Sequence, residues 1–522
     1  MLKELWLEGF KAFKEFQEIE LAPLTLIFGA NSSGKSSIIQ SLLMLKQSAL
    51  ANKGEDFLVL RGDAVDLGSF RNVIHGHNED NNLAVHLSFV DLLVGWTGDT
   101  KIPSAGISFG KNPHTGSIDQ YAIELGTRFG PIVFTPTSAS AEFLSRARSR
   151  WYEKRDSTDA DSDFPFDGPD EDLYCAGIRD LVEQSNGQTG LFPSRYQFII
   201  DGYVGADLPY VPLFDIPGEL VAVTSMRRLL GEPTLPLEIF SEDGRIWNLT
   251  EPTNQRGRRQ IYEDSPIEND LKQISNLRRE LVNATHLGPI RSMPPRVQAL
   301  GSGWNRNASA QGENVLPLLT KKPEILRQLN HWLQRLEIPY SVSIEEISGS
   351  DTLAPIGDIQ CLMLTDLRTG YTSSTLDVGF GISQVIPVVI HSLMKTPGSS
   401  LTLIEQPEIH LHPAVQARLM DLFIEQSQPR HRGGMANNLG VIDERGNRQF
   451  ILETHSEHMI LRLQKAIRLG RISPNRVSVL YVERGQDGHS HVKRLRLNDS
   501  GEFIDEWPGG FFDERLEEIF GD

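Results

Sequence analysis

Apolar residues near the start of the chain follow a pattern that predicts a strand, a loop and a helix. Short apolar runs at residues 1–8 and 23–28 are typical of strands, whereas residues 36–50 repeat apolar positions at helical spacing. Further short β-like segments predict an antiparallel sheet beside this unit, at residues 83–90, 121–125 and 131–135.

The middle of the chain lacks a regular pattern. Residues 136–265 are irregular, with an acidic run at residues 156–172 and scattered Pro and Gly, which predicts an insertion with at least one mobile loop. Helical spacing returns between residues 266 and 337. These changes in pattern predict four segments: an N-terminal lobe at 1–135, the insertion at 136–265, a helical lobe at 266–400 and a C-terminal half at 401–522.

The C-terminal part alternates helices and strands. Helices are predicted from about residue 383 and from residue 413, and strands at residues 401–405, 448–454 and 477–483. Alternation of this kind is typical of a largely parallel sheet covered by helices. The predicted fold class is therefore α/β, with a mixed β-sheet, a helical lobe and an inserted irregular α+β region.

Composition fits an ordinary globular protein of 522 residues, with 39% apolar and 23% charged residues. The two cysteines, Cys175 and Cys361, are too few for a disulfide framework or a multi-cysteine zinc site, and they suit a reducing interior. The start of the chain mixes charged and aromatic residues, and no apolar run reaches the length of a membrane span. We therefore expect a cytoplasmic protein with no membrane partner.

The net charge of −18 limits contact with nucleic acid, because it repels a phosphate backbone from most of the surface. Nucleic acid is thus a candidate partner only at a local basic patch. Three basic clusters are present, at residues 146–155, 227–228 and 255–260, and each is more typical of a solvated loop than of a nucleic-acid site.

The strongest chemical signal is GANSSGKSS at residues 29–37, which fits the phosphate-loop pattern G-x-x-x-x-G-K-[ST] between a predicted strand and a predicted helix. Such a loop turns its backbone N–H groups onto phosphate oxygens, and the helix N-terminus adds positive potential. We expect Lys35 to pair with the β and γ phosphates of ATP and Ser36 to bind Mg²⁺. The predicted nucleotide contacts in this loop are Gly29, Asn31, Ser32, Ser33, Gly34, Lys35, Ser36 and Ser37.

The acidic strand LTLIE at residues 401–405 supplies the second element of a nucleotide site. Glu405 takes the position of the carboxylate that binds Mg²⁺. Gln406 sits where a hydrolase carries its general base, and a glutamine orients water but cannot accept its proton. Glu408 is either a substitute base, a cap of the next helix or the partner of an arginine. This pattern predicts slow turnover.

Four histidines lie in HLHP at residues 410–413 and ETHSEH at residues 453–458. Their spacing does not favour zinc, because no cysteine or carboxylate lies at regular ligand spacing around them. His455 directly follows an apolar strand, where a histidine can contact the γ-phosphate and respond to its loss. We expect His455 to act as a switch histidine.

Taken together, the phosphate loop, LTLIEQPEIHLHP, DVGFGISQVIPVV at residues 377–389 and ILETHS resemble the soluble ABC-type ATPases of the branch that includes RecF, the structural-maintenance-of-chromosomes (SMC) proteins and the overcoming-lysogenization-defect (OLD) nucleases. EQPEIHLHP, HLGPIRSMPPR, GEN and EWPGGFFDERLEE further resemble stand-alone predicted ATPases of bacteria, many of them encoded in antiphage defence operons. The resemblance covers both ends of the chain and hardly the middle.

The resemblance implies a P-loop ATPase head that forms a head-to-tail homodimer around two ATP molecules. Each ATP would lie between the phosphate loop of one subunit and the signature of the other, here matched by Gly379, Gly381, Ser383 and Gln384. The usual Leu-Ser-Gly-Gly-Gln reads Phe-Gly-Ile-Ser-Gln at residues 380–384. His412 replaces an aspartate common at the dimer seam, and Lys11 or Lys14 is a candidate nucleotide contact.

Three functions are open at this level. The first is a slowly hydrolysing, ATP-gated sensor and scaffold for a separate effector subunit, a nuclease or toxin, in antiphage defence. OLD-type relatives carry a nuclease domain of their own; because the stretch after His455 is short here, we expect any nuclease or toxin activity to lie on a separate partner. The second is a RecF-like repair ATPase that acts directly on DNA, and the third is a phosphotransferase that uses the insertion as a substrate lid.

Overall fold

The computed structural model describes residues 1–50, 58–89, 280–292, 315–347, 359–394, 401–428 and 448–508, together with strands at 104–111, 118–127, 130–136, 196–200, 238–240, 246–248 and 298–299. Several predictions lie outside these residues. They are the acidic loop at 156–172, the basic clusters at 146–155, 227–228 and 255–260, and the helical signal at 266–279.

An antiparallel sheet forms the first layer, in the strand order β2-β1-β4-β5-β6-β7-β8. Its strands are β1 Leu2–Glu8, β2 Gln17–Glu20, β4 Leu83–Phe89, β5 Ser104–Lys111, β6 Ile118–Thr127, β7 Gly130–Pro136 and β8 Tyr196–Ile200. The antiparallel sheet predicted from the three short segments is thus present. It also takes in β8, which comes from the stretch predicted as an insertion.

A six-stranded sheet forms the second layer, in the order β11-β16-β17-β3-β18-β19, and all but its last pair are parallel. Its strands are β3 Leu24–Gly29, β11 Thr285–Leu287, β16 Leu401–Glu405, β17 Gln449–Glu453, β18 Val477–Arg484 and β19 Ser490–Leu495. The largely parallel α/β sheet predicted for the C-terminal part is confirmed. It incorporates β3 from the N-terminal part, so residues far apart in sequence share one sheet edge.

Helices cover both faces of this sheet. They are α1 Lys35–Leu50, α2 Phe70–Val73, α3 Val315–Lys321, α4 Pro323–Arg335, α5 Phe380–Leu393, α6 Pro413–Ser427 and α7 Glu457–Arg468. A smaller sheet packs beside α3 and α4, with β12 Gln298–Ala299, β13 Tyr340–Ile347, β14 Ile359–Asp366 and β15 Thr372–Ser374. The strands β9 Glu238–Phe240 and β10 Ile246–Asn248 pair with each other.

Alternation along β3 explains how the layers are held together. Leu24, Leu26 and Phe28 face a core shared with helices α3 to α7, whereas Ile27 faces a second core shared with α1 and the antiparallel sheet. Because both faces are buried, the strand is apolar along its length. The sheet edge at its carboxyl end is therefore fixed from both sides.

The sequence patterns predicted most of the described helices and strands, but they misplaced the start of one helix and missed two short strands. The helix predicted from about residue 383 begins at Phe380, with Gly379 as its N-cap residue. Strands β2 and β11 were missed because they have only four and three residues, too few for a clear periodicity. Among the described residues, no helix combines the length and the apolar character needed to cross a membrane.

Candidate functional site

The candidate site lies where β16, β17 and β3 end side by side. Glu405 and Glu453, the last residues of β16 and β17, are register partners in the parallel ladder. The neighbouring strand β3 ends at Gly29, where the phosphate loop begins. Carboxyl ends of parallel strands are the usual place for a ligand in an α/β sheet, so two carboxylates and a phosphate loop meet at one edge.

The loop needs glycine at its first position. Gly29 has a φ of +146°, and a Cβ there would lie 2.2 Å from the carbonyl oxygen of Val482 on β18. No side chain fits at that distance. Close packing of the loop against β18 therefore explains the glycine that the motif requires.

The rest of the loop turns into α1. Asn31 and Ser32 are exposed, and Ser32 adopts a positive φ of 61°. Ser33 and Ser37 are buried, and the Ser37 N–H donates to the Gly34 carbonyl at 3.0 Å. Asn31 and Ser32 are thus the two loop side chains best placed to reach a ligand from solvent.

The Lys35 side chain is hydrogen-bonded to the backbone at the start of the phosphate loop. Its Nζ donates to the carbonyl oxygens of Gly29 at 3.0 Å and Ala30 at 2.7 Å. Burial lowers the pKa of Lys35, and the nearby charge of Glu453 opposes that shift. A buried ammonium that is satisfied only by carbonyl groups is well suited to exchange those contacts for phosphate oxygens.

Glu453 is a site residue that the sequence motifs did not indicate. Ser36 Oγ donates to Glu453 Oε1 at 3.1 Å, so the carboxylate next to the predicted magnesium ligand is Glu453 and not Glu405. Burial, and next the charge of Glu405, raise the pKa of Glu453 to about 7. Its position at the end of an apolar strand, in ILETHS, was the available signal, but the histidine of that stretch was the residue predicted to act.

Glu405, the residue predicted to bind the metal, contacts β11, which pairs with β16 on the side away from β17. Its Oε1 lies 2.8 Å from Nε2 of the buried His286, which belongs to β11. The Gln406 N–H donates to the Glu453 carbonyl at 2.7 Å, and Gln406 has a positive φ of 45°. The turn after β16 is therefore tied to β17 through its backbone. A role of Glu405 at a metal stays a prediction.

The Glu408 side chain contacts the backbone of His455. Its Oε1 accepts the His455 backbone N–H at 2.7 Å, and burial raises the pKa of Glu408 while the Arg291 charge opposes the shift. Glu408 does not cap the next helix, because the N-cap of α6 is His412, whose Nδ1 accepts from the Ala414 N–H at 3.3 Å. Burial, with the nearby Lys35, lowers the pKa of His455, which favours the neutral imidazole.

The predicted signature residues divide into two groups. Gly379 and Gly381 lie at the start of α5, and Gly381 packs so closely that a Cβ would lie 2.5 Å from the His410 carbonyl oxygen. Ser383 and Gln384 are buried, and Ser383 Oγ donates to the Thr375 carbonyl at 2.9 Å. The Ser383 hydroxyl is thus bonded within its own subunit, and a contact of Ser383 with a nucleotide stays a prediction. Contacts of the two glycines with a nucleotide stay a prediction.

Lys11 and Lys14 follow β1, close to the loop. Lys11 has a positive φ of 51°, and its Nζ donates to the Gln40 side chain on α1. Lys14 is exposed. Burial lowers the pKa of Lys11. Lys11 is therefore hydrogen-bonded to α1, and its contact with nucleotide stays a prediction.

The residues present fit Mg²⁺. Within the described residues, no group of three or more His, Cys, Asp or Glu side chains forms a metal cage. Magnesium does not need one, since it binds through one or two carboxylates together with substrate phosphates and water. Ser36 and Glu453 offer oxygen ligands beside the loop, and Glu405 is the register partner of Glu453 on the next strand.

Comparison with known families supports an ATPase. The family described as "AAA ATPase domain" matches residues 1–92 and 310–460, which contain the phosphate loop, the acidic strand and His455. Residues 472–520 match a second family, "Protein of unknown function (DUF3696)". No curated protein matches the sequence. The matched segments meet in one parallel sheet, so the part of the chain that forms the candidate site is similar to the AAA ATPase family.

Solved structures similar to this chain include SMC head domains. The SMC head of Thermotoga maritima is 12% identical, with 95% of this chain and 99% of that chain covered and a TM-score of 0.35. The SMC head with coiled coil and joint of Pyrococcus yayanosii is 13% identical, with 96% and 98% covered and a TM-score of 0.36. An SMC head bound to the C-winged helix domain of ScpA is 12% identical, with 95% and 98% covered and a TM-score of 0.37. At TM-scores this low, the evidence for an ATPase is the family match and the site geometry.

Proposed function

We propose that this protein binds ATP and Mg²⁺ at the phosphate loop, hydrolyses ATP slowly, and acts as an ABC-type, nucleotide-gated sensor and scaffold. One observation carries the enzymatic part of the proposal. The register of β16, β17 and β3 brings Lys35, Ser36 and Glu453 together and places Glu405 next to Glu453. These are the charges and donors that phosphoryl transfer from ATP requires.

Each residue has a definite task in this proposal. Loop N–H groups and Lys35 bind the phosphates, and the charge of Lys35 matches the developing negative charge. Ser36, Glu453 and Glu405 would hold Mg²⁺, which when bound neutralises charge on the phosphates. His455, whose pKa is lowered by burial and by the nearby Lys35, would contact a terminal phosphate as a neutral imidazole.

Slow turnover follows from the residues around the attacking water. Gln406 cannot accept a proton. Glu408, the substitute base, is buried and already accepts the His455 backbone N–H. Gln406 therefore supplies no base, and Glu408 supplies one only from a buried position with Oε1 already bonded; a positioned base contributes about 10²–10⁴-fold to such a step.

The scaffold part rests on the motif resemblance. A head-to-tail homodimer around ATP would gain contacts that only the closed pair makes, so the γ-phosphate would shift a two-state equilibrium. Slow hydrolysis would lengthen the closed state. We further propose that the closed pair controls a separate effector, a nuclease or toxin, in antiphage defence.

The enzymatic part is tested with Lys35→Ala and a matched control, Lys465→Ala, which changes an exposed lysine on α7. ATP binding and phosphate release are measured on the purified proteins. We expect Lys35→Ala to lower phosphate release by about 100-fold and to weaken ATP binding, whereas Lys465→Ala keeps both. Unchanged ATP binding in Lys35→Ala would refute the assignment of the phosphate loop.

The scaffold part needs a different measurement. Molecular mass in solution is followed with ATP, with ADP and without nucleotide, and phosphate release is followed with and without DNA ends. ATP-dependent dimers with DNA-independent turnover support the scaffold. Strong stimulation by DNA ends would instead support a RecF-like ATPase acting on DNA.

A further inference from the structure

Arg291 is a buried arginine that none of the nucleotide motifs explains. It follows β11 at the edge of the parallel sheet and is 4% exposed. Its Nη2 donates to the carbonyl oxygens of Glu405 and Gln406, both at 2.8 Å. One guanidinium nitrogen thus spans the two peptide groups at which β16 becomes a turn.

This turn needs to be held in place. Gln406 lies in the left-handed region, which is strained for a residue with a side chain. The Gln406 N–H donates to the Glu453 carbonyl, and the Gln406 carbonyl accepts from Arg291. The turn is therefore fastened on one side to β17 and on the other to Arg291.

Arg291 also connects the turn to α5. The Gln384 side chain on α5 donates from Nε2 to the Arg291 carbonyl at 3.3 Å. A continuous chain of hydrogen bonds therefore runs from α5 through Arg291 to the turn and on to Glu453.

The cost of burying this arginine argues against a role in stability alone. Its Nε and Nη1 make no hydrogen bond among the described residues, and burial lowers its pKa to about 10, opposed by the charges of Glu408 and Glu405. Buried ion pairs contribute little net stability, and unsatisfied buried donors cost free energy. An arginine kept under these conditions needs another reason for its position.

We propose that Arg291 is a positioning residue of the candidate site, which fixes the turn carrying Gln406 relative to Glu453 and α5. This role rests on the proposed ATPase function. Arg291 touches neither nucleotide nor water in this role. It sets where the Gln406 side chain points, and therefore the rate of the chemical step rather than the affinity for ATP.

Two variants separate positioning from a mere supply of charge. Arg291→Lys keeps the positive charge, but its shorter side chain does not bring the ammonium to both carbonyls that Nη2 contacts, and Arg291→Met removes the charge and the donors. Arg476→Met is the matched control, because Arg476 Nη2 also donates to a backbone carbonyl, that of Ser427 at 2.8 Å, away from the site.

The measured quantities are kcat and KM for ATP and the unfolding temperature. We expect kcat to fall about 10- to 100-fold in both Arg291 variants, with KM little changed, while Arg476→Met keeps the wild-type kcat. Wild-type kcat in Arg291→Lys would overturn the proposal in favour of a charge-only role. Parallel losses of kcat, ATP affinity and unfolding temperature in Arg291→Lys would also overturn it, in favour of a structural role.

Failure of the Arg291 role is distinguishable from failure of the ATPase function. If the wild-type protein shows no turnover that Lys35→Ala abolishes, the ATPase proposal fails and this role falls with it. Active wild-type protein with fully active Arg291→Lys refutes the Arg291 role alone. If Arg291→Met does not fold, the kinetics of Arg291→Lys alone decide between positioning and charge.

Discussion

Glu453→Gln in the nucleotide-free and metal-free protein tests the electrostatics of the site. Glu453 is 4% exposed and pairs in register with Glu405, and its pKa is raised from 4.5 to about 7, first by burial and then by the charge of Glu405. Glutamine keeps an oxygen that accepts from Ser36 and removes the charge. The substitution therefore isolates the cost of ionising this carboxyl group.

The sign and size of the effect follow from the shift. A carboxyl group whose pKa is raised on folding binds its proton more tightly in the folded protein, so its contribution is complete below pH 4.5 and is lost as the pH rises through about 7. The difference between 4.5 and about 7, at ~1.4 kcal/mol for each pH unit, corresponds to about 3 kcal/mol as an upper limit. The wild-type protein should lose this much stability, relative to Glu453→Gln, between about pH 4 and about pH 8.

The assay is thermal and denaturant unfolding of both proteins across that pH range, in the presence of a chelator. Glu15→Gln, at an exposed glutamate in the turn between β1 and β2, is the control. We expect Glu453→Gln to gain stability over the wild type as the pH rises and Glu15→Gln to show no such trend. A difference that does not depend on pH, or a wild-type protein that is the more stable at about pH 8, would refute the reasoning.

Two further substitutions test the neighbouring predictions. Gln406→Glu should raise phosphate release by at least about tenfold, because it restores a proton acceptor beside the attacking water; an equal or lower rate would show that Gln406 does not limit turnover. Ser383→Ala should cost about 1 kcal/mol of stability and leave kcat nearly unchanged, because the hydroxyl donates to the Thr375 carbonyl of its own subunit. Loss of turnover at full stability in Ser383→Ala would show that the serine acts on nucleotide.

The phosphate loop could be predicted because its chemistry is contiguous in sequence. A strand, a glycine turn, Lys35 and a helix follow one another, and each has a local pattern. The position of Glu405 at the end of β16 was predicted in the same way, from one apolar strand that ends in a carboxylate, and its role at a metal stays a prediction.

The remaining site residues could not be predicted because they depend on which strands become neighbours. Glu453 matters because β17 inserts between β16 and β3, an order that no local pattern encodes. Arg291 reaches a carbonyl 114 residues away through a strand of three residues. The helix that carries Ser383 begins at Phe380 and not near residue 383, because periodicity predicts the bounds of a helix least well.

The turn after β16 also explains how the chain keeps a nucleotide site while it departs from the usual base at Gln406. The backbone of Gln406, not its side chain, makes the bonds that hold the site together, to the Glu453 carbonyl and to Arg291. A different side chain at this position leaves those bonds in place. Its chemistry can therefore set the rate of hydrolysis without disturbing the phosphate loop or the two carboxylates. An ATP-gated scaffold requires slow turnover at an intact site, because its closed state must last long enough to transmit a signal.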